Sequence, residues 1–166
     1  MSERFLCAIA TFDKTSEQRI QRMQERLTAA GFVGNQTQGI PHHITLQYYP
    51  PEHEAEVEAM VAEVVSATKR FALAFNSFGL FALNVLFLAP DVNYALLDLH
   101  NGLSTGSLPS ERGWTPHATI LIDEPKTVLK ALPLIGDDFA PFIVTIEGVQ
   151  LYEFFPARLI GSYMLR

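Results

Sequence analysis

Two stretches of this chain repeat one pattern, and that repetition limits what the chain can fold into. The first is Ile40-Pro41-His42-His43-Ile44-Thr45-Leu46; the second is Trp114-Thr115-Pro116-His117-Ala118-Thr119-Ile120-Leu121. Each places a Pro just upstream of His, apolar, Thr, apolar. Side chains two apart on a β-strand share a face. His43 and Thr45 therefore fall on one face, as do His117 and Thr119. Ile44, Leu46, Ala118 and Ile120 turn to the other face, into a core. The pattern calls for two half-buried strands, each with a core side and a side that carries one imidazole and one hydroxyl.

The flanking elements repeat as well. Phe5 to Thr11 reads as a buried strand. Asp13-Lys14-Thr15-Ser16 opens a helix, with Thr15 and Gln18 spaced as a capping box. Ile20, Met23, Leu27 and Ala30 follow helical spacing, and Gly31 ends the helix. Arg19, Arg22 and Arg26 read as its solvated face. After the first motif strand, Pro50-Pro51 precedes a helix over 52–68, and Phe71 to Phe81 reads as a strand. The second half begins with a strand over 85–89 and a helix over 92–101. A Gly/Ser-rich loop, 102–113, then leads into the second motif. A helix from Pro125 to Leu132 follows, then a strand over 142–152, and a final strand over 159–165 closes the chain. Each half runs strand, helix, motif strand, helix, strand, approximately over 5–81 and 85–153. The expectation is one α+β domain over 1–166. It is bilobal and duplicated, with two antiparallel sheets, outer helices and a central cleft that carries both motifs.

Composition narrows the partners. With 12 Lys plus Arg against 18 Asp plus Glu, the net charge is −6, which argues against a large basic nucleic-acid surface. A small nucleotide held by local groups remains compatible with it. The single Cys7 cannot form an internal disulfide and reads as a buried small hydrophobe, so a cytoplasmic setting is the expectation. The run from Phe5 to Ala10, behind Met1-Ser2-Glu3-Arg4, is too short for a signal-peptide core. Phe71 to Ala89 lacks Asp, Glu, Lys and Arg, as a membrane helix would. Asn76, Ser77, Gly79 and Asn84 interrupt it, and two antiparallel strands fit better. No membrane and no obligate protein partner are expected.

The chemistry follows from the two imidazoles. An unperturbed His titrates near ~6.5, so both of its forms are available at neutral pH. Two histidines on opposite sides of one phosphorus suit in-line displacement. One takes a proton from the attacking water, the other gives one to the leaving oxygen, and the rate should be bell-shaped around neutrality. Thr45 and Thr119 can donate to the non-bridging oxygens as charge builds there. No metal or other cofactor is called for. A site built from His42, His43 and His117 lacks a supporting carboxylate or Cys spacing. Strand alternation turns His42 away from His43, as a rim or structural residue. His53 and His100 fall in helices and read as incidental. Tyr48, Tyr49, Trp114 and Tyr152 are candidates for a base-stacking face; Tyr48, Trp114 and Tyr152 are the substrate-binding candidates.

At these residues the chain resembles the two-histidine (2H) phosphoesterase superfamily, which includes cyclic phosphodiesterases and the proteins named 2′-5′ RNA ligases. The resemblance rests on His43-Ile44-Thr45-Leu46 and His117-Ala118-Thr119-Ile120, with the flanking elements in the family's order. It implies a bilobal fold with the paired motifs on the cleft floor. It also implies that a cyclic phosphodiester, such as a nucleoside 2′,3′-cyclic phosphate, is opened, or formed by the reverse 2′-5′ ligation. His43 and His117 carry over as catalytic residues, and Thr45 and Thr119 as phosphate-binding ones. RNA-ligase-like members tend to carry an Arg shortly after the second motif. Here Leu121-Ile122-Asp123-Glu124 follows, and Gln47-Tyr48-Tyr49-Pro50 follows the first motif. Both departures weigh against RNA and toward a small phosphodiester or nucleotide. RNA ligation or 3′-end processing, a non-catalytic nucleotide-binding module and a metal-dependent hydrolase are the rival readings.

Overall fold

A computed structural model describes residues 4–166. The leader reading of Met1, Ser2 and Glu3 lies outside the described residues. Among the described residues, seven strands and four α-helices follow one another along the chain. They are β1 (Phe5–Phe12), α1 (Lys14–Ala29), β2 (His43–Tyr49), α2 (Glu54–Ala67), β3 (Phe71–Phe81), β4 (Val85–Pro90), α3 (Tyr94–Gly102), β5 (Ala118–Ile122), α4 (Pro125–Gly136), β6 (Phe142–Phe154) and β7 (Arg158–Met164). Every strand pair is antiparallel.

The strand order is β2-β1-β6-β3-β4-β5, with β7 paired to β6. The two sheets expected from the sequence are thus joined into one ladder. The join is made by the two longest strands. Phe71–Phe75 of β3 pair with Phe142–Ile146 of β6, while the rest of β3 pairs with β4 and the rest of β6 with β1 and β7. The last strand of each half has crossed into the ladder of the other. With the halves equated, the order reads the same from both ends, and β2 and β5 are the two termini.

The faces of β1 show where the core sits. Leu6, Ala8, Ala10 and Phe12 join the main cluster beneath the helices, with Ile20 and Leu27 of α1 and Val57, Val61 and Val65 of α2. Cys7 and Ile9 face the other way and form a small cluster with Tyr152 and Phe154. A β-bulge at Ala8/Ile9, opposite Leu46 of β2, re-aims the end of the motif strand, so that Leu46 and Tyr49 are both buried.

Helix α1 begins two residues earlier than the Thr15 capping box predicts. Asp13 has an extended backbone, and its carboxylate accepts from Ser16 N at 2.9 Å. The Ser16 hydroxyl is engaged elsewhere, accepting from Thr145 N on β6 at 3.0 Å. At the other end, Gly31 has φ +92°. Its N–H donates to Thr28 O, and that of Phe32 to Leu27 O, a Schellman closure. This end turns the chain over the cleft toward β2. The expected α4 runs on through Pro133 to Gly136.

Candidate functional site

Both motif histidines are fixed in the same way. His43 Nδ1 lies 2.8 Å from Pro41 O, and His117 Nδ1 lies 2.7 Å from Thr115 O. In each case the partner is the carbonyl two residues upstream. A carbonyl can only accept, so Nδ1 must carry the proton. In the neutral ring Nε2 is then the atom with a free lone pair. Two imidazoles with matched tautomers result, each presenting Nε2 to whatever enters.

Their surroundings differ. Burial holds the His43 pKa below the usual imidazole value, and the Pro41 carbonyl partly offsets this. Charge on His117 and His42 also disfavours protonation of His43, and Glu17 favours it. His117 is likewise held low by burial, opposed by the Thr115 carbonyl. Its ring is flanked by Phe81, edge-on with centroids 4.6 Å apart, and by Phe87 at 5.2 Å.

A cleft of about 540 Å³ opens beside these strands. His43, Thr45 and Thr119 line it, so three of the four motif residues share one wall. His117 is not on that wall; it stands next to Thr119, against Phe81 and Phe87. Cys7, Thr45 and Tyr48 line the cleft together. Burial pushes the Cys7 thiol up to about 12, which leaves it un-ionised and a poor nucleophile at neutral pH. One end of the cleft is aromatic. Phe5 meets Tyr48 and Phe155 edge-on, at 5.4 and 6.1 Å, and Phe154 lies beneath. The lining also holds the polar, uncharged Gln21, Gln24, Gln36, Thr37 and Gln38, together with Glu17. No Lys or Arg lines the cleft among the described residues.

The expected stacking residues divide. Tyr48 lines the cleft and is 46% exposed. Tyr49 is fully buried, and its hydroxyl donates to Leu103 O at 2.6 Å. Tyr152 is 7% exposed and packs with Cys7, Ile9 and Phe154, off the cleft wall. Trp114 is also off the wall. Its ring lies flat on His100, with centroids 3.7 Å apart, and its Nε1 donates to Thr45 O at 2.9 Å. His100 is therefore not incidental; its Nδ1 holds Leu46 O at 2.8 Å. His53, in contrast, is exposed beside Glu56. His42, just ahead of β2, lines the cleft with His43 and bonds to Glu17 and Gln24 of α1, with its side chain only 9% exposed. Sequence reasoning passed over Glu17, Gln24, Phe81, Phe87 and Phe155. Their helical or apolar spacing carries no signal beyond packing. No three His, Cys, Asp or Glu side chains converge as a metal-binding group among the described residues.

The site is carried by a single antiparallel ladder with two matched histidines. Solved structures share the fold over nearly the whole chain. TT0787 of Thermus thermophilus superposes with a TM-score of 0.67 at 15% identity, covering 98% of each chain. E. coli LigT complexed with 3'-AMP gives 0.67 at 16%, also over 98% of each. LigT complexed with ATP gives 0.64 at 18% over 99% of each. No curated protein matches the chain. Residues 12–154 match the 2'-5' RNA ligase superfamily, and the chain belongs to it. That membership places it among enzymes that cleave or join phosphoesters. No described helix is long and apolar enough to cross a membrane.

Proposed function

We propose that this protein opens a small cyclic phosphodiester of the 2′,3′-cyclic nucleotide kind, without a metal, using His43 and His117 as the general acid–base pair. The observation that carries the reading is the matched tautomer. Each Nδ1 is occupied by a backbone carbonyl, so each Nε2 is free for proton transfer. One neutral Nε2 takes a proton from water as its oxygen attacks phosphorus. The bond from phosphorus to one sugar oxygen breaks, and the other imidazole, protonated at Nε2, supplies the proton to that oxygen. The product is a phosphomonoester beside a free hydroxyl. Thr45 and Thr119 donate to the non-bridging oxygens, where charge grows.

The cleft's composition supports a small substrate. It offers an aromatic end for a base and no cation for a second phosphate. That E. coli LigT structures hold 3'-AMP and ATP supports a nucleotide-sized ligand for this fold. The test is turnover of a panel of 2′,3′-cyclic nucleotides with a chelator present. His43→Ala and His117→Ala should each remove about 10²–10⁴-fold of the rate. The double variant should be little worse than either, because the pair acts as a unit. Full activity in either single variant, or activity abolished by the chelator, refutes the reading.

A further inference from the structure

β2 and β5 are the two ends of the ladder, so no backbone ladder bonds join them, whereas every other strand neighbour is held in register by such bonds. Paired-histidine chemistry, on which this inference rests, nevertheless needs both imidazoles placed on one phosphorus. A misplacement of about 1 Å can cost about 10²-fold. Something other than the sheet must set that gap.

We propose that Gln24, with His42 and Glu17, forms a strut that fixes β2 against β5, and that Gln24 and His42 are positioning residues for the two histidines. Glu17 and Gln24 lie seven residues apart on α1, two turns along one face. Ile20 and Leu27, both fully buried, anchor that side of the helix in the core. Glu17 Oε1 accepts from His42 N at 3.2 Å and lies 2.7 Å from His42 Nδ1. His42 Nε2 lies 2.6 Å from Gln24 Oε1, and Gln24 Nε2 donates to Ile120 O at 3.2 Å. Because Ile120 O can only accept, the amide nitrogen must face it, which leaves Oε1 for His42. His42 immediately precedes His43, and Ile120 immediately follows Thr119. The strut thus runs from the first motif, through one amide, to the second.

Two flanking ties act in the same direction. Asn35 N donates to Ile122 O at 2.7 Å, and Gln36 Oε1 accepts from Ile122 N at 3.1 Å, so the α1–β2 connection satisfies the outer edge of β5. Trp114 Nε1, three residues before His117, donates to Thr45 O. Among the described residues, Gln24 remains the one side chain that bonds to both sides of the gap by itself.

The experiment is Gln24→Met, which keeps length and loses both hydrogen bonds. Gln24→Glu keeps an acceptor for His42 and sets a carboxylate oxygen against Ile120 O. Arg22→Ala, on the exposed face of α1, is the control. Two readouts are taken. The first is kcat and KM on a 2′,3′-cyclic nucleotide. The second is the imidazole NMR titration of His43 in the free protein, with and without His117→Gln. The groups facing His43 are His117, His42 and Glu17, and only the first is changed in that comparison. The strut predicts kcat lower by about 10–10²-fold and KM within about 3-fold in a Gln24→Met variant that remains folded. It also predicts that His117→Gln moves the His43 titration less in the Gln24→Met background than in the parent. Parent-like kcat, or an unchanged response of His43 to His117→Gln in a folded variant, overturns the proposal. If Gln24→Met does not fold, Gln24→Glu is judged by the same two criteria. If the parent turns over no cyclic phosphate, the functional reading falls, and the titrations still decide the strut.

Discussion

Acidification should destabilise this protein through its two motif histidines. Burial holds both imidazoles below the unfolded value near ~6.5. The native state therefore binds fewer protons than the unfolded chain in that range, and stability falls as the pH falls. The contribution is complete above about 6.5 and is lost on the way down to the native values. While one imidazole is protonated in the unfolded chain and neutral in the native one, it contributes a slope of about 1.4 kcal/mol per pH unit. His43 should approach that figure. His117, the less enclosed, should fall short of it through solvent screening. Glu153, held low first by Arg4 and then by Arg158, titrates at more acid pH and stays outside the window. The assay is urea unfolding of the parent, His43→Gln and His117→Gln between pH 7.5 and 5. The parent should lose stability relative to His43→Gln below pH 6.5, at up to about 1.4 kcal/mol per unit. Parallel curves across the window would refute the claim that His43 is buried as a neutral ring.

The pH profile of kcat/KM should be bell-shaped with its maximum on the acid side of 6.5, rather than at neutrality as the sequence predicts, because both rings are pushed the same way; an optimum above pH 8 would contradict this. Thr45→Val and Thr119→Val should lower kcat by up to about 10²–10³-fold, less than either His→Ala change, measured on the same cyclic nucleotide. The specificity ratio of a cyclic-phosphate-ended oligonucleotide over a cyclic mononucleotide should stay near one and respond weakly to salt, since no Lys or Arg lines the cleft; a steep salt slope would move the assignment to RNA ends. Tyr49→Phe should cost about 1–3 kcal/mol by urea unfolding, because the buried Leu103 carbonyl loses its donor, while kcat is retained.

The alternation in His43-Ile44-Thr45-Leu46 and Ala118-Thr119-Ile120 was readable because strand periodicity is local. Ile44, Leu46, Ala118 and Ile120 are all buried, with the threonines between them half-buried. The element order was readable for the same reason. The partner of each strand was not, since nothing within Phe142–Phe154 marks it for β1 rather than for its own half. At α1, Asp13 and Thr15 both carry capping chemistry, and the choice lay in the bond between Ser16 and β6. Trp114 looked like a stacking face from composition alone. The covering ring of His100 comes from helix α3, which no local pattern can report. Gln24 was the least visible, an ordinary helix residue whose two hydrogen bonds both reach outside its own element.

The exchange of long strands makes the halves inseparable. Cutting the β3–β4 turn at Ala82 would leave two polypeptides with one motif histidine each. The first would keep β1 paired to β2 but strand β3, whose ladder neighbours β4 and β6 both lie in the second. The second would keep β6 paired only to β7, with the edge that β1 covered left open. Neither fragment could satisfy its longest strand in isolation, so each would be a folding template for the other. Turnover recovered by mixing them would be second order in fragment concentration, and its rate would report reassembly of the interlocked sheet rather than any chemistry in the cleft.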